Sequence, residues 1–176
     1  MSENEYLLKI CVIGRTKLKT KLVRRFAGAK FDTNYLPTQG VDIITKKINI
    51  DNNQIKLILF DTAGQEFFGK LRPSYYRGAS AATIVFDKSD LKTFKSVPDW
   101  LAEFRNQIPD ISIPITLVGI RNEAEEKLTT EEAQVLAEKL RIQYVETSLD
   151  DLEKIKEIFY ALTKTVLYLK SSEANY

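Results

Sequence analysis

A chain of 176 residues, 44% hydrophobic and 28% charged with a formal net charge of +2, has the size and balance of one globular domain. About 70% of the surface its unfolded form exposes is buried at this length, so no disulfide or metal staple is needed. The lack of histidine excludes His-dependent triads, His-carboxylate iron sites and most zinc sites, and the one cysteine, Cys11, reads as a small core residue in a reducing cytosol.

The chain begins Met-Ser-Glu-Asn-Glu, acidic where a signal peptide is basic, and no run approaches the roughly 18 apolar residues of a membrane span. Apolar, β-branched runs at 7–13, 41–50, 54–60, 81–86, 115–119 and 143–145, bounded by Gly, Pro, Asp or Asn, predict six strands. Asp51, Asn52 and Asn53 between the second and third runs predict a hairpin turn. Helical spacing occurs over 19–27, 97–107, 130–140 and 152–169, the last carrying Leu152, Ile155, Phe159, Leu162, Val166 and Leu169 on one stripe. Pro98 suits a first helical turn, and Thr129 or Thr130 followed by Glu131 and Glu132 marks a capped start. The alternation implies an α/β fold: a six-stranded, mostly parallel sheet with one antiparallel edge strand and helices on both faces. A single domain over 6–170 with a short tail at 171–176 is expected, with ligands at the carboxyl ends of the strands.

The chemistry-bearing residues collect at those ends. Asp61-Thr-Ala-Gly-Gln-Glu66 leaves the third strand with a carboxylate, a glycine and a glutamine, the parts needed to hold hydrated magnesium and sense a terminal phosphate. Gly14-Arg-Thr-Lys-Leu-Lys-Thr20 stands between the first strand and the first helix, where a phosphate loop needs glycine, a lysine and a hydroxyl. Against the usual Gly-x4-Gly-Lys-Ser/Thr, the glycine before Lys19 is missing and the loop is one residue short; the plain alternative is a strand-to-helix turn with a basic face. Thr38, about 18 residues beyond Thr20, completes an ordered set that is far more specific than any one member.

With these motifs in that order, the chain resembles the Ras superfamily of small GTPases, within it the Rab family. Ser74-Tyr-Tyr-Arg-Gly-Ala79, Gly40-Val-Asp42, and Thr93-Phe94 with Trp100-Leu101 carry the resemblance along with Asp61–Glu66, over residues 6–170. The fold it implies is the three-layer P-loop NTPase, or small G domain. The resemblance also implies a cofactor set of Mg²⁺ with GTP or GDP. Lys19 would contact the β and γ phosphates, Thr20 and Thr38 would ligate the metal, and Asp61 would hold a metal-bound water. Gly64 would read the γ-phosphate and Gln65 would orient the attacking water. Gly14, Lys17 and Lys21 complete the phosphate-side set, and Arg121, Glu123, Ser148 and Leu149 form the base side.

Departures accompany the match. Where the family reads guanine with Asn-Lys-x-Asp, this chain has Ile120-Arg121-Asn122-Glu123, and the family's Ser-Ala-Lys is Ser148-Leu149-Asp150. Arg121 can lay its stem over a purine. Ile120 cannot replace an amide's hydrogen bonds, and Glu123 keeps the carboxylate one methylene further out. The expectation is a Rab-like GTP/GDP switch with slow hydrolysis, acting in traffic or signalling; the alternative is a pseudo-GTPase that binds partners without turnover. Protein effectors and regulators are expected on Phe67, Phe68, Leu71, Tyr75 and Tyr76. No nucleic-acid partner is expected, the lysines and arginines of 15–30 reading as a solvated face, and a flavodoxin-like cofactor binder leaves the order of motifs unexplained. The final Ser-Ser-Glu-Ala-Asn-Tyr offers no cysteine for a lipid anchor, so membrane attachment would need a terminal extension, a partner protein or a different cellular task; a cytoplasmic protein, recruited to membranes if at all through a partner, is expected.

Overall fold

The computed structural model describes residues 5–28, 40–64 and 69–173. Within them the order is β1 (Glu5–Ile13), α1 (Leu18–Ala27), β2 (Val41–Ile50), β3 (Asn53–Thr62), α2 (Arg72–Tyr76), β4 (Ala81–Asp87), α3 (Leu91–Lys95), α4 (Val97–Gln107), β5 (Ile115–Arg121), α5 (Thr130–Leu140), β6 (Gln143–Ser148) and α6 (Leu152–Glu173). The strands form one sheet in the order β2-β3-β1-β4-β5-β6. β2 pairs antiparallel with β3, and every other pairing is parallel. This is the expected six-stranded sheet with its antiparallel edge.

Alternation along each strand explains the layers. In β1, Leu8, Ile10 and Val12 point to one face and join Leu22, Phe26, Phe159 and Leu162 of α1 and α6. Cys11 and Ile13 point to the other, where Tyr76, Trp100, Phe104, Ala133 and Ala137 cover them. Both faces of the central strands are therefore buried, and their sequences read as continuous apolar runs. Burial pushes the Cys11 thiol up to about 12, so it stays protonated as a core residue.

Local signals act where expected. Asp51 and Asn52 adopt positive φ of 48° and 63° and close the hairpin, while Asn53 already opens β3. Thr129 caps α5: its hydroxyl accepts from the Glu132 N–H at 3.1 Å and the Glu132 carboxylate accepts from the Thr129 N–H at 2.8 Å.

Several boundaries depart from the expectation. β5 and β6 run on to Arg121 and Ser148, so the base-side residues occupy the last rungs of strands. α4 keeps the expected 97–107, and a separate short helix, α3, precedes it; the two meet at Ser96, whose hydroxyl donates to Thr93 O at 2.7 Å and accepts from Trp100 Nε1 at 3.1 Å. Five-residue α2 and α3 are too short to show a helical period. α6 continues to Glu173, into the stretch expected to be tail.

Candidate functional site

β1 lies between β3 and β4 and runs parallel to both, so the three carboxyl ends stand side by side, where ligands sit in sheets of this kind. Gly14 starts the loop there with φ 136°; a Cβ added to it would stand 2.3 Å from the Val85 carbonyl oxygen, so no side chain fits. The next turn closes on Thr16. Its hydroxyl accepts from Leu18 N–H at 3.1 Å and its carbonyl from Lys19 N–H at 3.3 Å. Leu18, which stands where the motif has glycine, is buried in the α1/α6 core. Lys17 is exposed at the helix start, and Lys21 is half-buried one turn on, its N–H donating to Lys17 O at 3.4 Å.

Lys19 and Thr20 face β3. The Lys19 ammonium pairs with Asp61 Oδ1 and donates to Thr62 O at 2.6 Å; Thr20 Oγ1 donates to Asp61 Oδ2 at 2.6 Å. All three residues are buried, and the carboxylate takes the ammonium on one oxygen and the hydroxyl on the other. Register accounts for the meeting, since Asp61 lies opposite Val12 at the end of β1. Gly64 closes the group: a Cβ there would lie 2.5 Å from Gly14 O and 3.1 Å from Arg15 Cα. Gly14, Lys19, Thr20, Asp61 and Gly64, read from two segments 40 residues apart, are thus brought together. Thr38, Gln65, Phe67 and Phe68 lie outside the described residues.

Magnesium suits this donor set. Thr20 and Asp61 present hard oxygens side by side, and no group of three or more carboxylate, thiol or imidazole side chains among the described residues offers an all-protein cage. Mg²⁺ is characteristically held by one or two protein oxygens together with phosphates and waters.

The base side is built differently. Ile120, fully buried, belongs to the same core cluster as Leu18. Arg121 is exposed on the rung opposite half-buried Ser148, which brings the two base-side segments together. Asn122 Nδ2 donates to Asp87 Oδ1 at 2.8 Å and to Ser89 Oγ at 3.1 Å, and its Oδ1 accepts from Ala124 N–H at 2.7 Å. Glu123 is exposed beyond it. Leu149 packs on the α1/α6 core, and its carbonyl accepts from Arg25 Nε at 3.0 Å.

One partner-surface expectation is corrected. Tyr76 is buried: its ring lies 5.4 Å from that of Phe104 and its hydroxyl donates to Glu103 Oε1 at 2.6 Å. Tyr76 stands one turn from Arg72 on α2, and both turn toward α4, where Arg72 makes two 3.0 Å bonds to Glu103 and its guanidinium lies 4.5 Å from the Trp100 ring centre. Burial and the Glu103 carboxylate raise the Tyr76 pKa well above its ordinary value. Leu71 remains 52% exposed and Tyr75 half-buried.

Missed altogether was a cluster beside the base-side loop: Lys88, Glu126, Thr130, Tyr144 and Glu146. Its one signal in the sequence is a lysine placed directly after the apolar run of β4.

Comparison with known proteins agrees with this arrangement. Residues 9–168 match the Ras family. The chain is 38% identical to Ras-related protein Rab-11C of Dictyostelium discoideum, over 97% of this chain and 77% of that protein. It is 34% identical to mouse Ras-related protein Rab-22A, over 96% and 86%, and 33% identical to Ras-related protein SEC4 of Saccharomyces cerevisiae, over 91% and 75%. With the sheet order, the convergence of Lys19, Thr20 and Asp61, and these matches in agreement, the chain belongs to the Ras family of small GTPases and is Rab-like.

Proposed function

We propose that this Rab-like protein is a GTP/GDP-dependent switch with slow, Mg²⁺-dependent GTP hydrolysis, working in intracellular traffic or signalling. The observation that carries the reading is the buried meeting of Lys19, Thr20 and Asp61 beneath Gly64. Lys19 binds β and γ phosphate oxygens, exchanging its Asp61 partner for them. Thr20 and Thr38 would ligate the metal, with Asp61 on a metal-bound water, and the metal would supply neutralisation of charge on the phosphates. Gly64 presents its N–H to the γ-phosphate, and Gln65 orients water. Lys17, Lys21, Arg121, Glu123, Ser148 and Leu149 border the nucleotide. Effectors and regulators engage the surface around Leu71 and Tyr75, with Phe67 and Phe68. Among the described residues no helix is long and apolar enough to cross a membrane, and recruitment through a partner protein is the route we favour.

A second reading, a pseudo-GTPase interaction module, draws on two features: Thr16 engages the Leu18 and Lys19 amides within the loop, and Ile120 is a core residue. The content of the purified protein decides between them. Bound GDP or GTP released on denaturation, and calorimetric binding of GTP with Mg²⁺, support the switch; no nucleotide and no heat with GTP, GDP or ATP leave only the interaction module. If GTP binds and Gln65→Leu leaves hydrolysis unchanged, the role given to Gln65 is wrong.

A further inference from the structure

Lys88 follows directly on β4 with a side chain only 2% exposed, yet its ammonium meets two carboxylates: Glu146 on β6 at 2.7 Å and Glu126, in the loop between β5 and α5, at 2.9 Å. Thr130 at the start of α5 lies 3.5 Å away. Glu146 also accepts from Thr130 Oγ1 at 2.9 Å and from the Tyr144 hydroxyl at 2.5 Å. Burial works against the charge on Lys88, but the bonds to Glu146 and Glu126 outweigh it and hold the ammonium above the ordinary lysine value. Burial works against the charge on Glu146 as well, but bonds from Lys88, Tyr144 and Thr130 hold it below the ordinary carboxylate value.

The main chain of Lys88 holds the same loop. Its N–H donates to Ile120 O at 3.1 Å and its carbonyl accepts from Lys127 N–H at 2.9 Å. Arg121, Asn122 and Glu123 lie between those two anchors. On either side of Lys88, Asp87 and Ser89 take the Asn122 amide. Glu146 stands two residues before Ser148, which shares a rung with Arg121, so one ammonium ties together both segments that border the base. Withdrawing a lysine from water is costly, and a buried ion pair is a poor way to gain stability; its best-attested use is to fix register.

We propose that Lys88 is a positioning residue for base recognition: it sets where Arg121 and Glu123 stand relative to Ser148 and Leu149, and so governs which purine is accepted in a chain whose residue 120 is isoleucine. The proposal rests on the nucleotide-binding reading above, and it assigns base choice to a side chain that does not touch the base. Altering Lys88 changes discrimination between bases and leaves phosphate-side binding in place.

The test measures the affinities of GTP, ITP and ATP with Mg²⁺ for the full chain, by displacement of a fluorescent guanosine diphosphate, in the wild type and in Lys88→Met, Lys88→Arg and Glu126→Gln. Amide exchange is followed over 121–127 and over β1 and β3. Lys88→Met is expected to lower the GTP-to-ATP affinity ratio at least tenfold while ATP affinity stays within about twofold. Exchange over 121–127 should quicken with β1 and β3 unchanged, and Lys88→Arg should recover part of the ratio. Glu126→Gln, which alters only the more exposed carboxylate, should lower the ratio about threefold; if Lys88→Met fails to fold, this variant decides alone. A selective wild type whose ratio survives in these variants overturns the proposal, as does a wild type that binds GTP and ATP equally. A wild type that binds no nucleotide removes the nucleotide reading itself, and the base-choice role with it.

Discussion

The two halves of the candidate site are held by different kinds of contact. On the phosphate side a short polar contact set, Lys19, Thr20 and Asp61, is buried and closed from above by two glycines whose backbones meet. On the base side the corresponding positions have gone into the core, with Ile120 and Leu149 packed among aliphatic side chains, and polar organisation has moved outward to Lys88, Glu146, Asp87 and Asn122. A buried ion pair and a buried aliphatic side chain fail differently when changed: the first leaves an unmatched charge, the second a cavity or an unmatched polar atom. The halves can therefore be perturbed separately.

The largest effect is expected from Lys19→Ala. Removing the cation takes away the ammonium that pairs with the buried Asp61 carboxylate, and should cost about 3–5 kcal/mol of stability together with at least a hundredfold in nucleotide affinity. Denaturant unfolding and nucleotide titration measure the two; a stable, tightly binding variant would break the account of the phosphate side. Next comes Ile120→Asn, which returns an amide to the base side. Because residue 120 is inside the core, a loss of about 3 kcal/mol is expected, and a thermal shift near zero would mean that the position is not a packing site. Gly64→Ala sets a methyl group 2.5 Å from Gly14 O, so one loop must retreat; a cost of about 1–3 kcal/mol and a hydrolysis rate reduced more than affinity are expected in single-turnover assays.

The smallest effect is expected on acidification. Glu146 is held below its ordinary value of 4.5 against burial, by bonds from Lys88, Tyr144 and Thr130, with Glu126 the other carboxylate on Lys88. A depressed folded-state pKa contributes stability that is complete above the unfolded value and disappears as pH falls through the folded one. Amide exchange over 121–127 should therefore keep its relative protection at neutral pH and down through 4.5, and lose it only below. Loss of protection already near neutrality would break this assignment.

Much of the fold was legible because it is local. Asp51 and Asn52 tolerate the turn they occupy, Thr129 and Glu132 cap one helix within four residues, and the apolar runs mark the strands. Asp61 and Gly64 were legible as a motif leaving a strand. The Lys88–Glu146 pair joins residues 58 apart and depends on β4, β5 and β6 lying side by side, which spacing along the chain does not reveal. Tyr76 was misjudged for a similar reason: a tyrosine in a polar stretch looks exposed until α4 is known to bring Glu103 to its hydroxyl.

Leu18 and Ile120 bear on how the protein depends on its ligand. Both stand where the motif has a small or polar residue, and both are buried in one cluster. Each contributes about 1.5–3 kcal/mol by transfer from water, whether or not a ligand is present. A ligand that binds only the folded state adds about 2.7 kcal/mol when present at a hundred times its dissociation constant. The two aliphatic side chains together match or exceed that linkage term. Folding of this chain is accordingly less conditional on occupancy: the two side chains raise the stability of the empty protein, and the ligand term adds to that raised baseline.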